Sequence, residues 1–198
     1  MNRSQLEHII RAAAGNADTR EIVVIGSQSI LGAYPEAPAD LLVSMEADVY
    51  PKDRPEHSII IDGSIGERSM FHETFGYYAH GVDPTTAVLP DGWQQRLVRV
   101  ENENTRGNIG WCLEPHDLAV SKLVAGRDKD LSFIGSLLRH TMVSEPVLRE
   151  RLETTPLATP DRRCQVLARL DRIIRSLSGE VDGPFSRVPV VVAGHSPT

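Results

Sequence analysis

Apolar positions recur along the chain with two different periods, and the change between them divides it. Leu6, Ile9, Ile10 and Ala13 share one helical face, which predicts a helix over 4–14. Ser4 and Glu7 fit a capping box at its start, and Gly15-Asn16 ends it. Glu21 to Ile25 is a near-continuous β-branched run and reads as a buried strand. Gly26-Ser27 follows at once, and Gln28 to Tyr34 predicts a short helix. From Met45 to Tyr50 the pattern alternates. Met45, Ala47 and Val49 point one way and Glu46, Asp48 and Tyr50 the other, with Pro51 as the stop. Ser58 to Asp62 reads as a third strand, and Trp93–Val100 and Ile109–Leu113 as two more, paired across the polar turn at 102–108.

Beyond Pro115 the period becomes helical. Helices are predicted at Asp117–Ala125, Leu131–His140 and Glu145–Glu153. The clearest one opens at Pro160 and carries the stripe Val166, Leu170, Ile173, Ile174, Leu177, with Gly179 just past its end. The apolar tail within 184–198 reads as an edge strand or a mobile end. The layout is α/β (α+β): a strand-rich core over 1–113, then a C-terminal helical segment and tail over 114–198, packed as one compact unit.

A length of 198 residues suits one domain. Twenty-one Lys and Arg against 27 Asp and Glu give a net charge of −6, which excludes a non-specific nucleic-acid coat but not a nucleotide pocket with a few local cations. No apolar run is long enough to span a membrane, and the N-terminal residues hold no secretory apolar core. Cys112 and Cys164 lack metal spacing, so the expectation is a soluble cytoplasmic protein with reduced thiols.

Three features carry chemistry. Gly26-Ser27 at a strand-to-helix turn lets a phosphate approach backbone amides, though it also serves as a plain turn. Glu46 and Asp48, two residues apart on a strand, lie on one face with α-carbons about 7 Å apart. They suit one or two Mg²⁺ ions, or equally an exposed strand face. The segment 116–130 holds Lys122 on a small, apolar face, where it can neutralise a phosphate chain, and Arg127, which can fork onto one. Its end, Asp128-Lys129-Asp130, fits a solvated helix terminus as well.

Gly-Ser, about twenty residues, and an acid-x-acid strand resemble the minimal nucleotidyltransferases of the polymerase-β superfamily. Within that group the chain is similar to bacterial nucleotidyltransferases related to the AbiEii-type toxin enzymes, through 24–28, 46–51, 61–67, 71–78 and 117–130. The resemblance implies a mixed sheet flanked by helices, NTP as substrate, and transfer of a nucleotidyl group to an acceptor hydroxyl of tRNA, protein or a small molecule. It implies that Gly26 and Ser27 hold the β/γ-phosphates, Glu46 and Asp48 bind Mg²⁺ (or Mn²⁺), and Lys122 contacts the triphosphate. It also implies a third carboxylate on a neighbouring strand, for which Asp62 is the first candidate and Asp83 the second.

Glu67, His72 and Tyr78 are candidates for the pocket lining, Trp93 and Trp111 for core packing; His80, His116 and His140 show no ligand spacing. Arg96, Arg99 and Arg106, or Arg162, Arg163, Arg169, Arg172 and Arg175, could supply an RNA-binding patch; a solvated face is the favoured reading. The rival function is a non-catalytic member of the same fold that holds a protein partner in a toxin–antitoxin-like module.

Overall fold

The computed structural model of the protein describes residues 1–179. The apolar tail segment lies outside them. Helix α1 (Arg3–Asn16) leads into strand β1 (Glu21–Val24). A single 3₁₀ turn and the short α2 (Ile30–Ala33) follow, then β2 (Glu46–Pro51), α3 (Ser58–Ile65), α4 (Met70–Phe75), β3 (Tyr78–Gly81), β4 (Val98–Val100) and β5 (Ile109–Cys112). Four helices complete the described chain: α5 (Pro115–Ala125), α6 (Asp128–Arg139), α7 (Glu145–Glu153) and α8 (Pro160–Leu177).

The five strands form one mixed sheet in the order β3-β2-β1-β5-β4. β1 runs antiparallel to β2 and parallel to β5, while β2 and β3 are parallel. Register and pleat sort the side chains. Ile22, Val24, Val49, Ala79 and Cys112 fall on one face, which α1, α2 and α3 cover; all five are buried. Glu46, Asp48, Tyr78 and His80 fall on the other. The sheet therefore spends its apolar face on the core and leaves a polar row opposite. α5 to α8 pack on one another around Leu118, Leu123, Ile134, Leu148 and Leu170, all essentially inaccessible. Trp93 and Trp111 pack against the core as expected.

An internal ion pair ties the helical half to the sheet half. Asp117, on the first turn of α5 and fully buried, accepts two bonds from the Arg96 guanidinium at 2.8 and 3.0 Å. Arg96 thus faces inward and cannot serve a basic surface patch. Arg162 and Arg169 of α8 donate to the last carbonyls of α5 at Leu123 and Val124, and Arg163 donates to Leu152 and Thr155. These three side chains cap and bind helix ends rather than form a solvated face.

Three local expectations are corrected, and one helix keeps its place with a 3₁₀ start. The α1 cap is Asn2 with Gln5, at 3.0 and 2.8 Å, not Ser4 with Glu7; Glu7 is buried and takes bonds from Arg3, Asn102 and Asn104. The short helix expected over 28–34 forms over 27–33, its first three residues a 3₁₀ turn and its last four α-helical. The strand expected at 58–62 is the start of α3: Ile61 and Ile65, four apart, are buried, whereas Ile59 is 75% exposed. That is helical burial imposed on a β-branched run. The strand expected at 93–100 keeps only Val98–Val100, after a 3₁₀ turn at Trp93–Arg96.

Candidate functional site

β2 and β3 build the centre of the site through register alone. Glu46 lies opposite Tyr78 and Asp48 opposite His80. Parallel neighbours in matched positions project to the same side, so four polar side chains meet in two adjacent pairs. Tyr78 Oη donates to Glu46 Oε2 at 2.8 Å. The other oxygen, Oε1, lies 3.5 Å from His80 Nδ1, and Asp48 Oδ1 lies 3.2 Å from the same nitrogen. One ligand atom from each of Glu46, Asp48 and His80 falls within 4.8 Å of the others. Among the described residues no other such group of three comes together.

Gly26 decides where Asp48 can sit. It follows β1 with an extended backbone, φ −83° and ψ −173°. The Asp48 carboxylate occupies the space of the missing side chain, so any Cβ at Gly26 would overlap Oδ2. The backbone holds the two segments together, with Ile25 N–H donating to Asp48 O at 3.0 Å. Gly81 plays the matching role at β3. Its bare Cα lets the Ser58 carbonyl of α3 press against the strand end next to His80.

Two acids this close strain each other's charge. Burial, and then the neighbouring Glu46 carboxyl, push the Asp48 pKa up to about 6. Burial acts on Glu46 in the same direction, but hydrogen bonds to Asp48 and Tyr78 outweigh it and hold Glu46 below its ordinary value. A divalent cation would relieve this repulsion. Two carboxylates and one imidazole, converging on one point at the edge of a cavity, form a donor set that fits such an ion.

A cavity of about 760 Å³ opens beside this group. Ser27, Glu46, Asp48 and His80 form its sheet wall, and Lys122, Arg127, Lys129 and Asp130 its helical wall. Leu41, Val43, Val82 and Phe133 add an apolar part. Asp130 is fully buried. It accepts from Lys122 Nζ at 3.1 Å and Arg127 Nε at 2.6 Å, so it braces both cations at the junction of α5 and α6. Lys122 Nζ also lies 4.7 Å from the centre of the Phe133 ring. Burial lowers the Lys122 pKa, with Asp130 acting against it.

The structure therefore brings together Ser27, Glu46, Asp48, Lys122 and Arg127 around one cavity, with Gly26 directly behind Asp48. It does not bring Asp62 or Asp83 to them. Asp62 sits on α3 and accepts from Gly81 N–H at 3.4 Å, while Asp83 is turned to Thr85. Of the three candidates for the lining, Tyr78 bonds to Glu46, and His72 packs against Tyr78 with the rings tilted and accepts from the Arg68 amide. Neither these two nor Glu67 lines the cavity. His116 bridges Glu114 and the Ser144 amide, and His140 pairs with Asp40 at the rim.

Sequence reasoning missed three members: His80, Lys129 and Asp130. His80 stands 32 residues from Asp48, so only the strand pairing reveals it. The segment 128–130 resembles a solvated helix end, yet Asp130 is its most buried side chain. Among the described residues no helix is long and apolar enough to cross a membrane, and both cysteines are free, Cys112 buried and Cys164 exposed.

Comparison with known proteins covers most of this framework. A family model described as "Nucleotidyltransferase of unknown function" (DUF6036) matches residues 4–169. No curated protein and no solved structure matches the chain. The matched span runs from the start of α1 into α8 and so includes the whole sheet, the Gly-Ser turn and both walls of the cavity. By that match the chain belongs to the DUF6036 family of nucleotidyltransferases.

Proposed function

We propose that this protein moves a nucleoside monophosphate from an NTP to an acceptor hydroxyl and releases pyrophosphate, on a polymerase-β-type framework related to the AbiEii-type toxin enzymes. The observation that carries the reading is the packing of the Asp48 carboxylate into the gap left by Gly26, facing Lys122 and Arg127 across the cavity. Gly-Ser and acid-x-acid are short signals apart; a carboxylate seated on the glycine makes them one site.

Each residue has a task. Glu46 and Asp48 would hold Mg²⁺ or Mn²⁺, which when bound offsets negative charge on the entering and leaving oxygens. Tyr78 fixes the rotamer of Glu46. Ser27 offers a hydroxyl to phosphate oxygens, and Gly26 beside it makes the room in which the Asp48 carboxylate sits. Lys122 and Arg127 neutralise the phosphate chain from the helical wall, and Asp130 keeps them aimed. Lys129 adds a further cation there. The apolar patch of Leu41, Val82 and Phe133 suits the nucleoside. The volume is within the range of small-ligand pockets. Arg96, Arg162, Arg163 and Arg169 are engaged internally, which favours a protein or small-molecule acceptor over a large RNA.

The test is a product assay with α-labelled NTP, a divalent ion and candidate acceptors. The expected result is labelled acceptor plus pyrophosphate with the wild-type chain, and neither with a folded Asp48→Asn variant. Equal turnover by the two proteins overturns the reading. Calorimetry that detects no NTP binding, together with a tight partner in pull-down, would support the non-catalytic alternative instead.

A further inference from the structure

We propose that His80 is the third protein ligand of the cation site, in the place where a carboxylate is expected, and that its nitrogen makes the site prefer a first-row transition ion, with Mn²⁺ as the probe, over Mg²⁺. This rests on the reading of Glu46 and Asp48 as cation ligands.

On its β1 side Asp48 meets Ile25 and Gly26, which carry no ligand atom, so a further ligand from a neighbouring strand comes from the other side, and that strand is β3. Its residue in register with Asp48 is His80. The His80 side chain is half exposed at the open edge of the sheet, yet Nδ1 points inward to 3.2 Å from Asp48 Oδ1 and 3.5 Å from Glu46 Oε1. Tyr78, two positions earlier on the same face, engages the far oxygen of Glu46 and leaves Oε1 turned toward His80. Asp62, on α3, is engaged by the Gly81 amide. The available donors are thus two oxygens and one nitrogen.

That set discriminates between ions. Mg²⁺ is a hard cation that takes oxygen ligands in a strict octahedron. An imidazole is a better ligand for first-row divalent ions than for Mg²⁺, which keeps to oxygen; Mn²⁺, the weakest binder of that series and the most oxygen-seeking, is the most demanding probe of the preference. An imidazole serving only as a counter-charge to the two acids would not impose this preference.

The experiment uses the full chain with ¹⁵N-labelled histidine at pH 7.5. Mn²⁺ is added alone, the bound ion is examined by pulsed electron paramagnetic resonance, and Mg²⁺ is then titrated in as competitor. The expected result is a histidine ¹⁵N coupling to bound Mn²⁺, lost in His80→Ala and His80→Asp. His80→Asp should also lower the Mn²⁺-over-Mg²⁺ preference by about an order of magnitude, because it restores an all-oxygen set. His80 is exposed, so both variants should keep the wild-type circular dichroism spectrum. Mn²⁺ that binds without nitrogen coupling and with the same ion preference in all three proteins overturns the role of His80, while loss of binding in Asp48→Asn would still uphold the carboxylates. Failure of the wild-type chain to bind Mn²⁺, or binding that Asp48→Asn leaves unchanged, overturns the underlying metal reading as well.

Discussion

The two walls of the cavity are built on opposite principles. The sheet wall gathers like charges: Glu46 and Asp48 stand side by side, with the His80 imidazole against both. The helical wall gathers opposite charges, already paired: Lys122 and Arg127 both rest on the buried Asp130. Strand register places the acids, and little in the fold depends on them. A buried ion pair places the cations, and the junction of α5 and α6 depends on it. The acid wall should therefore fail through chemistry with the fold intact. The cation wall should fail through stability first.

Four experiments sharpen or break this contrast. Asp130→Ala strips the brace from Lys122, whose ammonium is nearly buried, and leaves a charge without its partner. The expected loss is about 3 kcal/mol of unfolding free energy in a denaturant titration. An unchanged midpoint would show that the cation wall holds itself. Gly26→Ala pushes the Asp48 carboxylate out of its seat. Turnover should fall by about 100-fold, the scale of an ångström-sized misplacement, with the melting temperature nearly unchanged. Tyr78→Phe frees Glu46 Oε2 and should weaken Mn²⁺ binding by roughly tenfold in calorimetry.

The smallest effect is that of pH. The raised Asp48 pKa means that the ion-free carboxyl takes up a proton as pH falls through about 6, while Glu46, held low, stays ionised. The facing groups, His80, Lys122 and Arg127, all favour the ionised form. Divalent-ion affinity should therefore drop between pH 7.5 and 5.5. The ion-free protein moves the other way: a carboxyl whose pKa is raised by folding adds stability below its ordinary value and loses it as pH rises through 6. A flat affinity profile over this range would contradict the crowding of the two acids.

Most of the architecture was legible because it is periodic. The alternation over 45–50 placed Glu46 and Asp48 on one face, and the stripes of α6 and α8 gave the helical half. The exception is instructive. Ile59-Ile60-Ile61 has strand propensity, yet α3 forms there because Ile61 and Ile65 pack inward together. Propensity yields to packing when a helix must cover a sheet. For the site, the residues close in sequence were readable, since spacing two on a strand fixes their face. His80 was not, because its relation to Asp48 exists only across a strand pair, and Tyr78 was expected in the pocket lining rather than as the partner of Glu46. In hindsight the repeat itself, two polar residues spaced by two on each strand, was the available signal. The burial of Asp130 had no such signal, since the three residues before it, Arg127, Asp128 and Lys129, are charged and exposed.

The account stands on one claim, that both walls grip the same polyphosphate. A crystal structure of the full chain with a non-hydrolysable NTP and Mn²⁺ tests it directly. The account predicts phosphate density between Asp48 and Lys122, with the ion touching Glu46 and Asp48. A nucleotide bound elsewhere, or one that leaves the two carboxylates without an ion, would contradict it.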